Sequence, residues 1–275
     1  MSGPVGATAA EWDPVRRVLV IAAMRRETAA LRGLLFRRGR PGSADVSWSR
    51  ECETWLLESS VAGASPAPSE VLEVVVGHCG VGPGAVRAWL EGRSWEQPPH
   101  DVAVVGFAGA LDPALRPGAV VWPRVGAAVD AASGARTSPW NLATPGGADA
   151  GDSGPLWTVE QPMLGPAEKR RLWDLLDRPR SAVVDMETSL LVAALENVGL
   201  LSSTIVCRVV TDTAEEDLPA VIAHVRPNGS IAPTRLLAAL VRRPSTIVSL
   251  ARLGGRSREG SSRLAEAMGD WLRLD

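Results

Sequence analysis

Lysine is nearly absent from this 275-residue chain: of 29 lysine and arginine residues only Lys169 is a lysine. The arginines are spread among 31 acids, for a net charge of −2. A grip on polymeric nucleic acid needs clustered cations to neutralise phosphates, so that class of partner is excluded. Cysteine and histidine are scarce as well, with Cys52, Cys79 and Cys207 far apart and only His78, His100 and His224 beside them. Without a C-x-x-C pair or a His/Cys cluster, neither a disulfide framework nor a zinc site is expected, and no metal or cofactor is called for. The opening MSGPVGATAAEWDPVRR has no apolar core of a secretory signal, and no run nears the ~18 apolar residues of a membrane span. A cytoplasmic, reduced protein is the expectation. A clean G-x-G-x-x-G after the first strand, with an acid ~20 residues on, is missing too, which argues against a Rossmann-type oxidoreductase.

What is present is an alternation of apolar runs and helical stretches. Val18–Ala23, Trp55–Leu57, Val71–Val76, Val102–Phe107, Ala119–Trp122 and Thr204–Val210 read as strands, the longest of them unbroken apolar runs of the kind buried on both faces. Arg25–Leu35, the segment with Ala85–Leu90, Glu168–Leu176 and Thr188–Val198 (closed by Gly199) read as helices. The tail from Ile231 is helical in pattern, broken at Pro244 and at Gly254-Gly255. The fold class is α/β: a single-domain three-layer sandwich around a mostly parallel, twisted sheet. Residues 1–14 form a flexible leader, 15–275 the domain, and the Ala, Gly, Ser and Pro-rich stretch 131–155 a long mobile insertion.

Ligands of such a sheet gather beyond the carboxyl ends of its strands, and four sequences fall there. Glu27 follows the opening strand, where the positive end of a helix would explain its charge. Gly77–Gly84 is a glycine-rich loop, suited to a tight turn or to backbone approach toward a ligand. In Asp185-Met186-Glu187 the two acids cannot point the same way, so one at most should face a ligand; a carboxylate suits two neighbouring ribose hydroxyls, while Asp185 also fits a helix cap. Arg208 and Asp212 end a strand, where Arg208 needs a partner and a buried ion pair would satisfy it.

In their order these segments resemble the nucleoside phosphorylase/nucleosidase superfamily that includes methylthioadenosine/S-adenosylhomocysteine nucleosidase. The resemblance spans residues 18 to about 213 and is carried by Ala23-Met24-Arg25-Arg26-Glu27, Gly80-Val81-Gly82, the run from Gly106 through Gly109 and Pro113 to Gly118, Val184 with Met186-Glu187, and Arg208 with Asp212. Within it, the hopanoid-associated phosphorylase branch is the nearer likeness, through Asp185-Met186-Glu187-Thr188, the Ala214-to-Pro219 segment and Arg243-Pro244. The resemblance implies cleavage of the N-glycosidic bond of a purine nucleoside. Glu27 would be the base toward water, Met186 would lie against the ribose, Glu187 would hold its 2′- and 3′-hydroxyls, and Asp212 would protonate the leaving purine. Arg208 would steady the nucleophile or the acid; Gly80, Gly82, Phe107, Ala108 and Gly109 would line the substrate. Such an acid needs its pKa raised by burial.

The chain departs from the family pattern at Phe107, where a small hydroxyl residue is usual, at Ala110, at Ala119, and at Arg25 and Arg26 beside the base. Phe107 points away from methylthioadenosine and toward a bulkier 5′ substituent. Arg25 and Arg26 leave open phosphorolysis, with phosphate in place of water. A nucleoside-binding protein of the same fold without turnover is the reading from another class, and a homodimer or higher homo-oligomer is expected.

Overall fold

In the computed structural model, which describes residues 15–41, 52–58, 71–90, 98–142, 153–220, 222 and 246–274, the apolar run after Val15 forms strand β1 (Val15–Ala22). Its side chains alternate between two cores: Leu19 and Ile21 face one side of the sheet, Val18 and Val20 the other, all fully buried. That is the period-2 consequence of a strand covered on both faces. Strands β2 (Arg40–Pro41), β3 (Cys52–Glu58) and β4 (Val71–His78) lie to one side of it, in the order β2-β3-β4-β1. On its other side is β5 (Asp101–Ala110).

Strand β5 is the hub. Its first residues pair with β1, its last two with β10 (Val183–Asp185), and along its length it runs parallel to β11 (Thr204–Asp212), whose nine residues are all buried. Beyond β10 the sheet continues through β9 (Leu156–Thr158), β7 (Val125–Ala128) and β8 (Trp140–Asn141), while β6 (Val120–Val121) covers β11. The central pairs β4–β1–β5–β11 are parallel, but β2–β3, β3–β4, β10–β5, β11–β6 and β7–β8 are antiparallel. The pairs β10–β9 and β7–β9 are parallel as well, so parallel pairing runs through the sheet as expected and the antiparallel pairs are added around it.

Helices complete three layers. Leu31 and Leu35 of α1 (Ala29–Arg38) and Leu264, Met268 and Leu272 of α5 (Thr246–Leu272) close one core. Val86 and Trp89 of α2 (Pro83–Leu90) with Leu191, Val192 and Leu195 of α4 (Thr188–Asn197) close the other. Leu172 of α3 (Pro166–Leu175) packs over β7, β9 and β10 in a third cluster.

Three local expectations are revised. The first helix starts at Ala29, not Arg25, so Glu27 stands in a turn ahead of it and not in its first turn. Within the expected insertion, Trp140–Asn141 is recruited as β8 and Val129 bridges Arg136, so this stretch is partly sheet; residues 143–152 lie outside the described residues. Helix α5 runs unbroken through Gly254-Gly255. Each glycine costs ~1 kcal/mol of helix propensity, too little to interrupt a helix anchored by Leu264 and Met268. The leader 1–14 and the tail 231–245, with Pro244, are outside the described residues.

A Cβ at Gly254 or Gly255 meets nothing within 4 Å, and both residues are exposed. Gly254→Ala and Gly255→Ala should therefore each stabilise the protein by about 0.5–1 kcal/mol. Urea denaturation measures this, and a loss of stability would mean that the helix is not continuous there.

Candidate active site

A cavity of about 270 Å³ opens beyond the carboxyl ends of β1, β5, β10 and β11, and its wall includes Glu27, Phe107, Lys169, Met186, Glu187 and Asp212. Glu27 reaches it from the turn after β1. Its Oε2 accepts the Met24 N–H at 2.7 Å and its Oε1 the Phe107 N–H at 3.0 Å, which binds the turn to β5. Burial raises the Glu27 carboxyl above its ordinary range; these N–H groups and Arg208 pull it back only in part. The helix dipole is thus not what holds Glu27, since the residue precedes the helix and is claimed by a neighbouring strand.

Two glycines of β5 make room for the carboxyls. A Cβ on Gly106 would stand 2.8 Å from Arg208 Nη1 and 2.9 Å from Glu27 Oε1; one on Gly109 would stand 2.8 Å from Asp212 Oδ2. A β-bulge between Val210 and Asp212 sets the second of these contacts. Val210 pairs with Ala108 and Asp212 with Gly109, so Thr211 is the unpaired residue and Asp212, not Thr211, stands opposite Gly109.

Arg208 is buried behind the cavity. Its Nη2 donates to Asp185 Oδ2 at 2.9 Å and to the Thr188 hydroxyl, and that hydroxyl in turn donates to Asp185. Asp185 also accepts from Thr158 Oγ1 at 2.8 Å and from the Thr188 N–H, so it closes the start of α4 as a cap would. With Asp185 committed to these partners, Glu187 is the member of the pair free to face a ligand. Its Oε1 accepts the Gly82 N–H at 2.9 Å, and burial pushes its carboxyl up to about 8, with Asp185 and Glu27 adding to the rise.

Asp212 has a partner that the sequence reading did not find. The side chain of Lys169, in the first turn of α3, is 1% exposed, and its Nζ donates to Asp212 Oδ2 at 2.6 Å and to the Thr213 carbonyl at 2.7 Å. Burial raises the Asp212 carboxyl, and the Lys169 ammonium opposes that rise. The available signal was the isolation of one lysine among arginines, but nothing in the sequence linked residue 169 to residue 212.

The remaining expected residues divide. Phe107, Ala108, Gly109, Met186 and Arg26 line the cavity. Gly80 and Gly82 do not: both adopt φ of +83°, the Gly80 N–H goes to the Ala23 carbonyl and the Gly82 N–H to Glu187, and Val81 between them faces the cavity. Arg25 is off the cavity, paired with Glu53 at 3.2 Å. Glu216 is half-buried and paired with Arg256 of α5, because that helix packs against β11. Leu253 and Ser257 of the same helix join Met163, Leu218 and Ile222 in the cavity wall.

No protein-family model matches the chain, and no curated protein matches it in sequence. Solved structures do match it in shape. Futalosine hydrolase of Helicobacter pylori strain 26695, in a mutant form, superposes with a TM-score of 0.61 over 94% of this chain and 100% of its own, at 12% identity. The chain has the nucleosidase fold. An aspartate-to-asparagine variant of the H. pylori 5′-methylthioadenosine/S-adenosylhomocysteine nucleosidase, with 5′-methylthioadenosine in its active site, gives a TM-score of 0.60 at 12% identity, over 94% of this chain and 99% of that one. The Neisseria meningitidis nucleosidase of the same type, in complex with methylthio-immucillin-A, gives 0.55 at 16% identity, over 92% and 99%. The nucleosidase fold survives at these identities because its determinants are buried strands that tolerate exchange among Val, Ile, Leu and Ala.

The Glu187 carboxyl, ordinarily near 4.5 and here near 8, keeps a proton in the folded chain that the unfolded chain has lost across that window. Stability must then fall as pH rises between those values. Glu187→Gln cannot titrate, so its stability relative to the parent protein should improve steadily from pH 4.5 to pH 8 in urea denaturation. A pH-independent difference would refute the buried, raised carboxyl.

Proposed function

We propose that this protein hydrolyses the N-glycosidic bond of a purine nucleoside, an adenosine modified at its 5′ position being the substrate class. What carries the reading is the placement of two buried carboxyls with raised pKa on one cavity, Glu27 at Gly106-Phe107 and Asp212 at Gly109. These anchor points are three residues apart on β5, ~10 Å at the rise of a strand, a span that a sugar and its base can fill. Glycosidic cleavage develops positive charge on the ribosyl carbon and negative charge on the departing base, so it needs a group at each end. Glu27 takes the proton of the attacking water, Asp212 hands one to the purine N7, Glu187 accepts from the 2′- and 3′-hydroxyls, and Met186 packs on the ribose. Arg208 acts through Asp185 and Thr188, and its charge acts on Glu27.

Water is preferred to phosphate as nucleophile. With Arg25 held by Glu53, Arg26 is the one arginine on the cavity among the described residues, and the buried Glu27 would repel a phosphate dianion. The apolar wall of Met163, Leu218, Ile222, Leu253 and Phe107 suits an apolar or bulky 5′ group. A protein that only binds nucleosides would have no use for both Glu27 and Asp212.

Incubation with a panel of 5′-modified adenosines should release free adenine without added phosphate; strict dependence on phosphate, with ribose 1-phosphate as product, would establish the phosphorylase instead. Asp212→Asn should lower kcat by ~10²–10⁴ with little change in substrate affinity, the usual cost of losing a general acid. Glu215→Gln, at an exposed neighbour, is the control and should match the parent protein. Near-parental turnover in Asp212→Asn would place the acid elsewhere.

A further inference from the structure

Resting on the hydrolase reading, we propose that Lys169 and Asp212 work as one proton-holding unit, in which Lys169 supplies the proton that Asp212 passes to the leaving base. Lys169 is a positioning residue here, acting on the substrate through Asp212.

The chain has a single lysine, and it lies on this cavity. Arginine serves as the cation everywhere else, including the buried pair with Asp185. Arginine cannot give up its proton in a protein, whereas a lysine amine can. The one lysine is buried on the cavity wall, with two of its three donors fixed on Asp212 and the Thr213 carbonyl. Its side chain is shut off from solvent near the start of α3. The nearby charges are occupied. Glu168 accepts the Leu164 and Gly165 N–H groups, Glu216 pairs with Arg256, and across the cavity Glu27, Asp185 and Glu187 share Arg208. Asp217 lies by Gly165, on the outer side of α3's start, and Glu160 lines the cavity ahead of it. Among the described residues Lys169 and Asp212 are each other's ion-pair partner.

The pair holds one proton between the amine and the carboxyl. In the reaction that proton moves from Lys169 Nζ to Asp212 and on from Asp212 to the purine N7, as the C1′–N9 bond breaks and its electron pair leaves with the base. Water adds to C1′ and its proton goes to Glu27. Lys169 is left as a neutral amine and Asp212 as a carboxylate, and the proton collected by Glu27 restores the pair through solvent. The Thr211 hydroxyl, 3.2 Å from Asp212 Oδ1, steadies the carboxylate that results.

The test compares the parent protein with Lys169→Met and Lys169→Arg, using a purine ribonucleoside and 4-nitrophenyl β-ribofuranoside, whose leaving group departs as an anion without protonation. If the parent protein cleaves no purine nucleoside, the hydrolase reading itself falls. Given cleavage, Lys169→Met should lower kcat for the purine substrate by ~10²-fold or more and leave the aryl riboside essentially unaffected. The alkaline limb of its pH profile on the purine substrate should move to lower pH, because a lone carboxyl then holds the proton. Lys169→Arg keeps the charge but cannot pass a proton, so it should fall with Lys169→Met. Rescue by arginine, equal losses on both substrates, or an unmoved alkaline limb would each overturn the proposal. Circular dichroism checks the fold of each variant; if Lys169→Arg does not fold, the pH profile of Lys169→Met decides alone.

Discussion

Arg208 stands in the middle of a strand whose nine residues are all buried, and three carboxyl groups are arranged around its guanidinium. Two oppositely directed costs meet there. A buried guanidinium without a counterion is expensive, and so are Glu27, Asp185 and Glu187 without a cation. Asp185 and Thr188 take the guanidinium by direct hydrogen bonds, which leaves Glu27 and Glu187 under-compensated. Their raised pKa values follow from that shortfall together with burial. The ion pair also ties β11 to β10 and to the start of α4, so the same contact that neutralises charge sets the walls of the cavity.

The Asp212 end of the cavity is built on a separate charge. Lys169 and Asp212 bring α3 against the end of β11, and the β-bulge at Thr211 turns Asp212 to the position opposite Gly109. Two cations serve the two ends, Arg208 beside Asp185 and Glu27, and Lys169 on Asp212.

Glycine is placed by the same logic. The run Gly106-Phe107-Ala108-Gly109 reads in isolation as an interruption of a good strand, since glycine weakens strands. Each of its glycines instead lies under a carboxyl that a methyl group would displace. Phe107 between them packs near α5, where its ring approaches Gly260. The large ring of Phe107 is therefore accommodated by a small residue on the covering helix.

By itself the sequence determined the α/β class and the central strands, and it singled out Glu27, Glu187 and Asp212, which the fold gathers on one cavity with Arg208 behind them. Those signals are local: unbroken apolar runs, helix closures, and acids where strands end. It did not determine the antiparallel outer strands, the recruitment of Trp140–Asn141 into the sheet, or the passage of α5 through two glycines, because each is decided by packing partners distant in the chain. The pairing of Lys169 with Asp212 and of Arg208 with Asp185 was likewise left to tertiary structure. Local pattern says that a buried charge needs a counterion; only the fold, by bringing residues 43 and 23 positions apart within hydrogen-bond distance, says which one it gets.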